Sequence, residues 1–173
     1  MAAQVPIMEF FAVRWLRQPP RYTLPVLAPQ AGAAMNAIAP PLVAASAAII
    51  LLLGLLHLLY TFYGPKLFPR DRELQTRMQE VSPVITRQTT MWKAWVGFNA
   101  SHSYGLILFG AVYGYLALAH SDFLFQSVFL LLLGLILLFG YVFLAKRYFF
   151  RIPFRGTLLA TILYTLALII RWT

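Results

Sequence analysis

Residues 123–145 read "FLFQSVFLLLLGLILLFGYVFLA", with no charge anywhere in the run. A bilayer core about 30 Å thick is crossed by about 20 helical residues at 1.5 Å each. Within hydrocarbon every backbone N–H and C=O needs a partner in the same segment, and a helix supplies it. This run is therefore a membrane span. Three further apolar stretches, 42–63, 92–119 and 154–170, reach comparable length. The expected fold is all-α: a single-domain, four-span transmembrane helix bundle. Composition agrees. The 173 residues are 61% hydrophobic and 11% charged, whereas a soluble domain is about half apolar and about a quarter charged. There is no cysteine, so disulfides, iron–sulfur clusters and thiolate zinc sites are excluded from this sequence.

The net charge of +9 is placed, not spread. Six basic residues (Lys66, Arg70, Arg72, Arg77, Arg87 and Lys93) run from the link between the first two spans to the start of the second. Four more (Lys146, Arg147, Arg151 and Arg155) fall in "KRYFFRIPFR", between the last two. The link between the second and third spans is only "HSD", residues 120–122. With four spans both basic links lie on one side, which the charge rule assigns to the cytoplasm, and both termini lie outside. Anionic lipid headgroups account for this charge, with Arg70, Lys146, Arg147, Arg151 and Arg155 as the candidate headgroup-binding residues. No nucleic-acid-binding motif is present, and none of the basic stretches forms a soluble module. The expected location is a bacterial cytoplasmic (inner) membrane.

Residues 1–41 are expected to form a tail, disordered or interfacial. "IMEFFAVRWLRQPPRY" is too short and too charged to span, and its charges follow the apolar run, unlike those of a signal peptide. Prolines at 19, 20, 25, 29, 40 and 41 argue against regular structure there. Met35, opening "MNAIAPPLVAAS", offers an alternative translation start. Between the first two spans, "DRELQTRMQEV" reads as a short surface helix. "FPRD" before it reads as a helix start, with Asp71 at the positive end of the dipole.

The second span opens with "WVGFNASHSYG", residues 95–105. Gly97, Ser101 and Gly105 recur every four residues, and Gly110 and Gly114 add a second such pair further along; the spacing lets helix backbones approach, so these small residues are expected to form a packing face. Polar side chains at membrane depth face the bundle interior. His57 and Thr61 on the first span and Asn99, Ser101, His102 and Ser103 on the second are therefore expected to form one polar cluster. Four uses stay open for it. It serves as an interhelical hydrogen-bond cluster, a proton relay, a pocket for a lipid-like small molecule, or a haem site with His57 and His102 as axial ligands. Two imidazoles without a third ligand do not make a zinc site, so no metal centre is expected. His120 beside Asp122 reads as a solvated turn.

The combination "HLLYTFYGPKLFPRD", "TTMWKAWVGFNASHSYGLILFGAVYGYLAL" and "KRYFFRIPFRG" resembles an uncharacterised family of small four-helix bacterial integral membrane proteins, across residues 42–160. That resemblance implies the fold and no reaction. His57 followed by "YTFYGPKLF" is also similar to a segment of the HemJ-like, haem-binding protoporphyrinogen oxidases, which implies haem b on an intramembrane histidine. The functional expectation is a structural or accessory protein of the inner membrane, with a membrane-protein partner or a second copy of itself as possible company. The alternatives are a haem b oxidoreductase using His57 and His102, and a small carrier or lipid-handling protein; whether it is an enzyme is open.

The charge distribution makes an experimental prediction. A reporter active only in the cytoplasm will be active when inserted into residues 64–91 and silent when fused after Thr173. An active fusion at Thr173 would overturn the orientation.

Overall fold

The computed structural model describes residues 28–172, with side chains from residue 37. Six helices follow in order: α1 (Ala28–Phe62), α2 (Arg72–Glu80), α3 (Met91–Ala119), α4 (Ser121–Gln126), α5 (Val128–Tyr148) and α6 (Arg151–Trp172). No strand occurs among the described residues. Residues Ala37–Phe62 of α1, and the whole of α3, α5 and α6, are long and apolar enough to cross a membrane. The chain is a helical membrane protein of four spans. The tail expected over residues 1–41 lies outside the described residues as far as residue 27.

Three boundaries differ from expectation, each for a local reason. The first helix begins at Ala28 instead of near residue 42, and Pro40 and Pro41 lie inside it. Proline removes a backbone donor, but membrane helices tolerate it where neighbours re-satisfy the freed carbonyls. The run 123–145 is not one helix. Ser127 takes an extended conformation and its hydroxyl accepts from the Leu130 N–H at 3.3 Å. It caps α5 and ends the short α4, as serine does at helix starts. The basic segment "KRYFFRIPFR" is not a loop but the ends of two helices around residues 149–150. Lys146 and Arg147 sit in the last turn of α5, where the dipole favours them. Arg151 and Arg155 open α6, where it does not, and no acidic residue shares that first turn.

Each span buries one stripe at helical spacing: Ala39, Val43, Ala47 and Ile50 on α1; Ser103, Leu106, Gly110 and Tyr113 on α3; Leu131, Gly134 and Leu138 on α5; Ala160, Tyr164 and Ala167 on α6. Half of these residues are glycine, alanine or serine. Lipid is as apolar as leucine, so helices associate by close packing and hydrogen bonds instead of by hydrophobic burial. At Gly110 an added Cβ would stand 2.5 Å from Leu51 Cβ and 2.7 Å from the Ala47 carbonyl oxygen. At Gly54 it would stand 2.8 Å from Leu106 Cβ. α1 and α3 therefore meet almost backbone to backbone. The Ser46 hydroxyl donates to the Ala160 carbonyl across α1 and α6 at 2.7 Å. Tyr113 and Tyr164 donate to the Leu130 and Leu131 carbonyls at 2.7 and 3.2 Å, tying α3 and α6 to α5. Gly134 lies beneath both phenol rings, so close to Tyr164 that no side chain fits there. The contacts close a ring, α1–α3–α5–α6–α1, with neighbours antiparallel. Both basic links are at one end and residues 120–127 at the other.

At the basic end the long first link is held down. Gly64 adopts φ +83° to turn the chain out of α1. Asp71 caps α2 as the sequence suggests, accepting from the Glu73 N–H at 2.9 Å. The Trp95 indole donates to the Leu67 carbonyl at 3.1 Å, and Phe68 meets Trp92 edge to face.

The glycine contacts predict a contrast between two variants. Gly110→Leu will lose about 1–3 kcal/mol, the range for overpacking a filled interior, read as a lower unfolding temperature in detergent. Gly140→Ala, where a Cβ meets nothing within 4 Å, will leave that temperature unchanged or slightly raised. Equal effects would mean that α1 and α3 do not meet at Gly110.

Candidate functional site

The backbone approach of α1 to α3 decides which polar groups meet. His57 lies five residues before the end of α1, about 7.5 Å in at the helical rise. It faces Asn99 and His102 on α3. The Asn99 amide nitrogen donates to the Trp95 carbonyl at 2.8 Å, one turn back on its own helix. That bond fixes the amide's orientation and turns Oδ1 toward His57 Nε2, 3.0 Å away. An amide oxygen only accepts, so Nε2 carries the proton and donates; Nδ1 of the neutral ring is then an acceptor. The His102 ring meets the His57 ring edge to face, with centroids 5.4 Å apart. It also meets Tyr141 of α5 at 5.9 Å and Phe149, just beyond α5, at 5.8 Å.

The expected cluster is thus smaller than the six residues the sequence nominates. His57, Asn99 and His102 come together. Thr61 and Ser103 are buried, but their hydroxyls donate to the carbonyls of His57 and Asn99, four residues back on their own helices, at 2.8 and 2.9 Å. Such back-bonding satisfies a hydroxyl locally and removes it from any shared network. Ser101 donates to the Phe98 carbonyl at 2.9 Å and is exposed.

The stripe Gly97–Ser101–Gly105 is not the packing face. All three are exposed, and a Cβ added at Gly97 would meet nothing within 4 Å. Of the small residues expected to pack, it is the second pair that meets α1: Gly110 closely, and Gly114, where an added Cβ would stand 3.6 Å from Ala47 Cβ. The small residues at 101 and 105 instead leave a cleft of about 480 Å³. Its floor is α3, from Asn99 and His102 at the inner edge to Ser101 and Gly105 on the outward face. His57 stands on one side, Tyr141 and Phe149 on the other, and Trp95 and Phe98 line the end near the basic links. No Lys, Arg, Asp or Glu lines it. Its outward side is open to the surroundings of the bundle.

Two polar groups in this cleft have no hydrogen-bond partner among the described residues: the His102 imidazole and the Tyr141 hydroxyl. Every fully buried side-chain nitrogen or oxygen among those residues has one, so both unpaired groups reach the open space. Tyr141 Oη stands 3.1 Å from where a Cβ on Gly105 would be, directly over the floor. The aromatic walls and Tyr141 were not legible as site residues. A tyrosine in the last two turns of an otherwise apolar span was the available signal.

The histidine pair does not fit haem ligated on both faces. A bis-imidazole haem lies between its ligands, and here the two rings are in direct edge contact with no room for a macrocycle. The candidate headgroup residues Arg70, Lys146, Arg147, Arg151 and Arg155 are all exposed at the basic end. None makes an ion pair; among the described residues the only such pair is Arg77–Glu80 on α2. His120 meets the Tyr115 hydroxyl at 3.0 Å in the turn at the opposite end. No protein-family model matches the chain, and no curated protein or solved structure is detectably similar to it.

The geometry predicts energetic coupling between α1 and α3. In a double-mutant cycle with His57→Phe and Asn99→Leu, unfolding free energies will be non-additive by about 0.6–2 kcal/mol, the range for one interhelical hydrogen bond in a membrane. Strict additivity would show that the two side chains do not pair.

Proposed function

We propose that this is a lipid-handling membrane protein, which binds an amphipathic small molecule in the cleft on α3. The observation that carries the reading is the cleft itself. It is open to the bilayer, walled by aromatic rings and supplied with two hydrogen-bonding groups that the protein leaves unpaired. Pockets for small ligands have this make-up: mostly apolar walls, a few convergent polar groups and a volume of about 300–1,000 Å³. An unpaired polar group facing hydrocarbon costs several kcal/mol on alkane-type scales. A bundle built only as scaffold gains nothing from holding His102 and Tyr141 that way. A structural or accessory role explains the four-span frame and leaves these groups without purpose.

The charge pattern supports a setting for this activity. With both basic links at the cytoplasmic face of a bacterial inner membrane and both termini outside, the cleft lies in the cytoplasmic leaflet. Arg70, Lys146, Arg147, Arg151 and Arg155 then lie at the level of anionic headgroups, which also offsets the unfavourable start of α6. A ligand enters sideways from the leaflet, so no water-filled entrance is required.

Filling the cleft tests the reading. Ser101→Phe places a ring where the wild-type side chain is exposed, so the bundle interior is untouched. Mass spectrometry of material extracted from purified protein will show an amphiphile near one-to-one stoichiometry in the wild type and its loss in Ser101→Phe. The same lipid content in both proteins would refute a specific site.

A further inference from the structure

We infer that the cleft takes the ring of a neutral isoprenoid quinone or quinol, with a ring oxygen bonded to the His102 imidazole and the Tyr141 hydroxyl. This rests on the amphiphile reading and narrows it to one ligand class. Three features of the cleft lead to it.

The first is charge. No permanently charged side chain lines the cleft. A phosphate or carboxylate head there would leave water without a fixed cation to meet it, a cost that ion burial recovers only with a good partner. The cations at this end of the bundle, from Lys146 to Arg155, do not line the cleft. The two imidazoles cannot supply two charges either, because their rings are in contact and like charges at that separation repel. At most one imidazolium could face an anion, and no fixed cation stands behind it, so this lining suits a neutral head.

The second is shape. The lining carries Trp95, Phe98, Tyr141 and Phe149, and aromatic walls favour a flat ring by offset or edge-to-face contact. An alkyl chain fills such walls no better than it fills lipid. The 480 Å³ of space is enough for one substituted ring and the start of a chain, and less than the two chains of a diacyl lipid occupy. The chain leaves over Ser101 and Gly105, where small side chains leave the outward face of α3 open.

The third is hydrogen bonding. His102 and Tyr141 are the two groups with no hydrogen-bond partner among the described residues, and their rings meet edge to face with centroids 5.9 Å apart, so one ligand oxygen can reach both. The Tyr141 hydroxyl donates to a quinone carbonyl, and it accepts from a quinol hydroxyl as readily. Neutral imidazole has one donor and one acceptor nitrogen, so His102 serves both states as well. His57 holds the far edge of His102 by ring contact while its own Nε2–H is committed to Asn99. It positions His102.

Binding is read with decylubiquinone and the full-length protein in lipid nanodiscs, by quenching of tryptophan fluorescence. Trp95 lines the cleft, and the Ser101→Phe protein measures the quenching due to partition into lipid alone. The wild type is expected to show saturable quenching above that baseline. Tyr141→Phe, which keeps the ring and removes only the hydroxyl, is expected to weaken binding about tenfold, the equivalent of one hydrogen bond to the ligand. His102→Leu is expected to weaken it at least as much, while decanol, a chain without a ring, does not compete. Saturable binding unaffected by Tyr141→Phe, or full competition by decanol, would overturn the quinone assignment while leaving the amphiphile reading in place. No saturable binding of decylubiquinone, with a different amphiphile still lost from Ser101→Phe, would likewise overturn only the ligand class. No amphiphile in any of the proteins would overturn both.

Discussion

The structure depends on one close approach. At Gly110 and Gly54 the backbones of α1 and α3 come together with no room for a β-carbon. In water such a contact would add little to what apolar burial already supplies. In lipid that supply is missing, and dispersion between closely packed atoms is what holds helices together. The approach sets the register of α1 on α3, and the register places His57 against Asn99 and His102, two to three turns from Gly110 and about one turn beyond the Gly54–Leu106 contact, toward the basic end. The hydrogen bond of 3.0 Å between His57 and Asn99 is a consequence of that packing as much as a contributor to it.

The same helix uses small residues in two opposite ways. Through Gly110 they admit a neighbouring backbone. At Gly97, Ser101 and Gly105 they admit nothing from the protein, and the result is an open cleft. The difference is angular. Gly110 lies on the buried side of α3 with Ser103, Leu106 and Tyr113, while Ser101 and Gly105 lie well round the helix from it. Where the small residues face the bundle they bring helices together; where they face outward they leave a cleft.

The sequence made the spans readable because span length and charge placement are local properties. The run at 123–145 was apolar enough to mark a membrane helix, but the break at Ser127 depends on a single side-chain cap, which composition does not register. The site was half legible. Histidine and asparagine are costly beside lipid, so the pairing of His57 with Asn99 followed from cost, whereas His102 joins them by ring contact without a hydrogen bond. Thr61 and Ser103 were misplaced because a hydroxyl in a helix can satisfy itself on the carbonyl four residues back, and a pattern of polar residues cannot show which choice it makes. Small residues at a spacing of four do not reveal what stands opposite them, so Gly110 and Gly114, which meet α1, read the same in the sequence as Gly97, Ser101 and Gly105, which are exposed. Tyr141 and Phe149 became part of the site only through tertiary placement.

The central claim is that the outward face of α3 near Ser101 is open to lipid and not packed. The chain has no cysteine, so a nitroxide can be attached at one chosen site without background. Ser101→Cys and Leu108→Cys, the latter at a position 66% exposed on the same helix, can be labelled in bilayers and compared by collision with dissolved oxygen. The account predicts oxygen accessibility at residue 101 comparable to that at 108, falling when the cleft's ligand is added. A label at 101 shielded from oxygen in the ligand-free protein, with 108 accessible, would show a packed face and contradict the cleft.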